Sequence, residues 1–72
     1  MNYYHIHIFF SDEDDGYIAD IPDLKNCSAF GTTPQEALNQ VLIAQTLWLE
    51  EAAVSNMEIP AAKYRPIIYQ VV

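Results

Sequence analysis

Residues 14–48 read DDGYIADIPDLKNCSAFGTTPQEALNQVLIAQTLW, a turn, two short strands and the start of a long helix with almost no slack between them. The turn begins earlier, at Ser11–Asp12–Glu13–Asp14–Asp15. Its short polar side chains bond their own backbone, and Gly16 allows a positive φ. Tyr17 to Ile21 then alternates as a strand, with Tyr17, Ala19 and Ile21 on one face and Asp20 on the other. Pro22 ends it, because proline cannot donate to a ladder, and Pro22–Asp23 opens a second turn. Cys27 to Phe30 reads as a third strand stopped by Gly31.

The helix signal is the clearest local one. Thr33 is a capping residue, Pro34 suits the first helical position, and Glu36 stands three residues after Thr33, as a capping box requires. No Gly or Pro interrupts the run from Pro34 to about Ala53. At 3.6 residues per turn, Leu38, Val41, Leu42, Gln45, Trp48, Leu49 and Ala52 share one side. Ile43 and Leu47 fall on the opposite face among Glu36, Gln40, Glu50 and Glu51, either as scattered surface residues or as a contact with another chain.

Outward from this centre, Met1 to Phe10 alternates and is rich in aromatic and β-branched residues, a strand that pairs antiparallel with Tyr17–Ile21. Tyr4, Ile6, Ile8 and Phe10 are assigned to the core, and Tyr3, His5, His7 and Phe9 to the other face. Residues 54–65 form a connection, and Ile67, Ile68, Tyr69, Gln70, Val71 and Val72 read as a last strand, apolar enough to need a partner at its edge. The expected fold is α+β: a single β-β-β-α-β module over residues 1–72, with an antiparallel four-stranded sheet and one helix packed on one face. The open face would carry Tyr3, His5, His7, Phe9, Ile18, Asp20 and Phe30.

Composition narrows the function. A chain of 72 residues with one cysteine cannot form an internal disulfide, and a domain this small often relies on a partner. Ile67, Ile68, Tyr69 and Val71, with Ile43 and Leu47, are the candidate surface for a homodimer or tetramer. The net charge is −7, and Asp12, Glu13, Asp14, Asp15, Asp20 and Asp23 fall in a window with no basic residue. Phosphate binding needs Lys and Arg, so direct nucleic-acid binding is not expected. A basic protein is the better partner, with Asp12, Glu13, Asp14, Asp15 and Asp20 as its candidate contacts; plain solubility is the alternative account of the charge. No apolar run reaches the ~20 residues of a membrane span, and there is no basic leader, so a cytoplasmic protein without membrane association is expected.

Catalytic and metal constellations are weak. His5 and His7 share a strand face but lack a defined third ligand. The turn departs from a calcium loop, since Gly16 follows Asp12 by four residues and no bidentate Glu sits at the required distance. A two-metal nuclease would need carboxylates converging on one point. Cys27 has no base placed beside it. The residues describe a non-enzymatic binding module without cofactor or metal.

The ordered words DEDDGYIADIPDL, Cys27, GTTPQEALNQ and LWLEE, spanning Asp12 to Glu51, resemble the HicB-type antitoxin family. Lys25–Asn26 stands where that family usually has Pro-Gly before the cysteine. The resemblance implies a partial ribonuclease H-like fold without nuclease activity, assembly as dimers or tetramers, and neutralisation of a small basic HicA-type toxin that cleaves mRNA. No ribbon-helix-helix or helix-turn-helix segment follows the module, so control of transcription by direct DNA binding is not expected. The competing expectations are a HicB-like oligomeric adaptor or small-ligand binder with no toxin, and a metal-dependent hydrolase using His5, His7 and the acidic turn.

Overall fold

The computed structural model describes residues 4–64. Three strands, β1 (His7–Ser11), β2 (Gly16–Asp20) and β3 (Ser28–Gly31), precede one helix, α1 (Pro34–Val54). The strands form an antiparallel sheet in the order β1-β2-β3, with Phe9 opposite Ile18 and Ile18 opposite Phe30. The architecture is α+β, a three-stranded antiparallel sheet with one helix on a face. The fourth strand expected over residues 67–72 lies outside the described residues, as does Tyr3.

The β1–β2 turn differs from expectation in one respect. Asp15, not Gly16, takes the left-handed conformation, with φ 52°, which Asp tolerates because its carboxylate can bond locally. Gly16 is required by space: a Cβ there would lie 2.4 Å from Phe30 Cζ and 2.9 Å from the Gly31 carbonyl oxygen. The β2–β3 connection closes through Leu24 N–H to Ile21 O, Cys27 N–H to Leu24 O and Ile21 N–H to Cys27 O, at 3.0–3.1 Å. Asn26 is left-handed there, φ 62°, so asparagine meets the backbone demand of this turn as a glycine would.

Among the described residues β1 begins at His7, so Tyr4, His5 and Ile6, expected in the strand, precede it. Its ladder ends at His7 opposite Asp20: Ile21 directs its N–H to the other side, to Cys27, and Pro22, the next residue that would face β1, has no N–H to give. Tyr4 still reaches the core, 8% exposed, and its hydroxyl donates to the Pro60 carbonyl.

The helix begins as its sequence requires. Thr33 Oγ1 accepts from Glu36 N–H at 3.1 Å, which satisfies one of the unpaired donors of the first turn. The expected return bond is displaced by one residue: Glu36 accepts from Thr32 N–H at 3.0 Å and from Thr32 Oγ1 at 3.3 Å. Its carboxylate therefore secures the strand–helix junction as well as the helix end. At the other end Asn56 is left-handed (φ 58°), Met57 N–H reaches Ala52 O at 2.8 Å and Asn56 N–H reaches Ala53 O at 3.3 Å. This 6→1 and 5→2 pair is a Schellman cap, and it turns the chain back towards the sheet.

The core is Tyr4, Ala19, Ile21, Leu24, Cys27, Ala37 and Val41, with Ile6, Tyr17, Ala29, Leu38, Ala44, Trp48, Leu49 and Ala62 packed around it. Ile21, Leu24 and Val41 are fully buried, each contributing about 1.5–3 kcal/mol by leaving water. The helix lies chiefly over β3 and β2, where Ala19, Ala29 and Gly31 are small enough to let it approach. That placement corrects two core assignments. Ile8 and Phe10 point to the helix side but are 39% and 50% exposed, because β1 is the strand furthest from the helix axis. Leu42 is also exposed, whereas Ala37 is fully buried, since only a small side chain fits where the first turn touches Gly31.

Candidate functional site

One face of the sheet is taken by α1. The other carries Phe9, Ile18 and Phe30 in a cross-strand row, followed by His7, Asp20 and Ser28 in the next. The sequence placed all of these side chains but Ser28 together, and period-two alternation in three registered strands is the reason. Phe9 is 51% and Phe30 42% exposed, with Ile18 half-buried between them. An aromatic side chain on each outer strand, flanking a β-branched one, is a continuous apolar strip rather than scattered surface residues.

The strip is bounded at one end by the acidic turn, where Asp12, Glu13, Asp14 and Asp15 are all exposed. Ser11 Oγ donates to Asp14 Oδ2 at 2.8 Å, which gives the turn an internal tie. Asp20 lies on the same face at the strip's other end. The candidate carboxylates therefore flank an apolar strip instead of converging on a point, an arrangement suited to a protein surface and unsuited to two-metal chemistry.

Past Asp20, His5 and His7 stack edge-on with centroids 4.6 Å apart, and the Tyr64 ring lies 4.8 and 5.1 Å from them. Tyr64 is brought there by Asp23, whose carboxylate accepts from Tyr64 N–H at 3.1 and 3.2 Å and from Lys63 N–H at 3.2 Å. The histidines thus form part of an aromatic cluster that closes one end of the open face. The acidic turn expected as their third metal ligand sits at the far end of β1, four residues or about 13 Å of strand from His7. Among the described residues no three His, Cys, Asp or Glu side chains are grouped to hold a metal.

Cys27 is 2% exposed on the helix side. Burial, and then the charge of Asp20, push its thiol pKa up. A thiol held neutral is a packing group and a poor nucleophile.

The sequence did not reveal an apolar groove at the β3 side of the helix. Its volume is about 460 Å³, and Cys27, Ala44, Leu47, Trp48, Ala52 and Met57 supply its apolar wall. Two local events form it: Trp48 Nε1 donates to Lys25 O at 2.9 Å, holding the β2–β3 turn against the helix, and the Schellman cap folds Met57 back beside Ala52. Asn56 after the last periodic residue was the available signal for the cap. Ile43 and Leu47 stand out from the helix, 55% and 60% exposed. The remaining candidate contact residues, Ile67, Ile68, Tyr69 and Val71, lie outside the described residues. No helix among the described residues is long and apolar enough to cross a membrane.

Comparison with known proteins places one relative beside this chain. UPF0150 protein ssl0259 of Synechocystis sp. (strain ATCC 27184 / PCC 6803 / Kazusa) is 41% identical over 46 residues, a stretch that covers 64% of this chain and 63% of that protein. No family model matches the chain, and no solved structure matches it.

Proposed function

We propose that this chain is an antitoxin of the HicB type, which binds and masks a small basic mRNA-cleaving toxin of the HicA type. The observation that carries the reading is the open sheet face, an exposed Phe9–Ile18–Phe30 strip flanked by the Asp12–Asp15 turn and Asp20. An interface needs an apolar centre for affinity and complementary charge at its rim for encounter and specificity. The −7 net charge extends that complementarity to the whole molecule, and the ordered resemblance from Asp12 to Glu51 supplies the family.

In this mechanism the antitoxin performs no chemistry. The carboxylates steer the basic toxin and the aromatic strip desolvates against it, so that RNA is excluded from the surface the antitoxin covers. A partial ribonuclease H-like fold completed by residues 67–72, with homodimer or tetramer assembly through that segment, belongs to the same reading.

The test is co-expression with the short basic protein encoded beside this chain. Growth arrested by that protein should resume, and the two should co-purify. Phe9→Ser with Phe30→Ser should weaken the complex at least tenfold, since aromatic residues at an interface centre are worth about 2 kcal/mol or more. Absence of both binding and rescue by the unmodified chain would refute the proposal.

A further inference from the structure

Strand β1 is an outer strand of the sheet, and its edge is unguarded. Edge strands are commonly blunted by a charged residue, a proline or a bulge. The sequence HIFFS holds no Lys, Arg, Asp, Glu or Pro, and its five residues pair one to one with β2. Ile8, Phe9 and Phe10 are 39%, 51% and 50% exposed in succession. The direction of the backbone groups follows from the register. Ile21 gives its N–H to Cys27 O, so Ala19 and Tyr17 also bond towards β3, while Asp20, Ile18 and Gly16 bond towards β1. Their partners His7, Phe9 and Ser11 therefore face β2. Ile8 and Phe10 direct N–H and C=O outward, and among the described residues no strand lies beyond them.

Such an edge takes another strand, and its own sequence fits a second copy. In an antiparallel contact about a two-fold axis, bonds form only where outward-directed residues face each other. The register centred on Phe9 meets that condition and overlaps all five residues of β1. Ile8 of each copy then stands opposite Phe10 of the other, and each such pair exchanges both N–H···O bonds. On the open face Phe9 meets Phe9 at the closer spacing of a non-hydrogen-bonded pair. Charge selects the same orientation. Parallel strands would set the two acidic turns side by side. The antiparallel register instead carries each Asp12–Asp15 turn towards His5 and His7 of the other copy, with Ser11 opposite His7. There imidazole N–H groups can donate to carboxylates. We infer that β1 pairs with β1 of a second copy, joining two three-stranded sheets into one of six strands. The two Phe9–Ile18–Phe30 strips then meet across the axis as one row. The contact goes beyond the antitoxin reading, does not rest on it, and uses none of residues 67–72.

Phe9 on the axis offers a charge test that only self-pairing passes. Phe9→Lys and Phe9→Glu each remove an aromatic pair and set like charges opposite each other. The full-length parent should sediment as a dimer at high micromolar concentration, and each variant's dimer should be about tenfold weaker. Mixing the two variants should restore a dimer with one chain of each, identified by native mass spectrometry. Phe9 is half exposed, and circular dichroism confirms that each variant is folded. In the parent, amide exchange at Ile8 and Phe10 should slow as the protein is concentrated.

A monomeric parent would overturn the inference, and protected Ile8 and Phe10 amides in that monomer would assign the edge to residues 67–72 of the same chain. A dimer that neither variant weakens would overturn it by placing self-association on another surface, such as Ile43 and Leu47. Weakened variants that do not recover on mixing would overturn the register centred on Phe9. Growth rescue tests the antitoxin reading and needs only the unmodified chain, so either can fail without the other.

Discussion

Gly31→Ala is the sharpest test of how the helix is seated. A Cβ at Gly31 would lie 2.3 Å from Ala37 N, 2.7 Å from Glu36 C and 2.8 Å from Ala37 Cα. Ordinary contact begins near 3.4 Å, so the closest approach is about 1.1 Å too short. All three atoms are backbone, and no rotamer change relieves them. The first turn of α1 must lift from β3, although Thr33 and Glu36 tie it down. A radial gap of 0.5–1 Å already forfeits a quarter to a half of the dispersion attraction, and the gap opens beneath Ala37 and Val41, both fully buried. Overpacking of this kind costs about 1–3 kcal/mol. The alanine's advantage over glycine in an extended strand, about 0.5–1 kcal/mol, offsets part of the upper figure. We expect a net loss of about 2 kcal/mol. At about 0.05–0.15 kcal/mol per residue, a domain of 72 residues holds some 4–11 kcal/mol in all, so the loss is a large fraction. With a urea slope near 1 kcal/mol/M, the midpoint followed by Trp48 emission should fall by about 2 M. Gly16→Ala is the internal comparison. Its closest clash is with the exposed Phe30 ring, which can swing away, leaving the Gly31 oxygen at 2.9 Å; its loss should be smaller, about 1 kcal/mol. A Gly31→Ala midpoint within 0.5 M of the parent's would refute the close-approach argument.

Three further outcomes follow from local chemistry. Thr33→Ala removes the acceptor of the Glu36 N–H and should cost about 1 kcal/mol, measured by urea denaturation; an unchanged midpoint would show that water replaces the cap without loss. Asp23→Ala removes the carboxylate that holds the Lys63 and Tyr64 amides, so hydrogen exchange at those two amides should accelerate while that of Val41 is unaffected. Cys27 and Tyr4 both have raised pKa values, chiefly through burial and then through Asp20 and Asp23 respectively. Their protonated forms are favoured by folding, so this stability is complete below the unfolded cysteine value of about 8.5 and is lost as pH rises through the folded values. Urea midpoints should therefore decline above that pH, and Cys27→Ala should flatten the first part of the decline; a parent midpoint constant to pH 10 would contradict the burial of Cys27.

The sequence by itself determined the local elements. Proline, glycine and a capping threonine act within a few residues, so β2, β3 and the start of α1 are legible without any knowledge of the rest. Alternation likewise placed Phe9, Ile18, Asp20 and Phe30 on one face, since strand period is a property of the backbone. What only the tertiary structure decided is where the helix rests on the sheet. Gly31 sets it over β3, which buries Ala37 and leaves Ile8, Phe10 and Leu42 at the margin. No periodicity within one element encodes that offset. The groove is likewise a matter of contact between elements: Lys25 and Trp48 are twenty-three residues apart, and their hydrogen bond forms only where the β2–β3 turn meets the helix. Local signals specify which surfaces a chain can form, and the contacts between elements select which of those surfaces stay open.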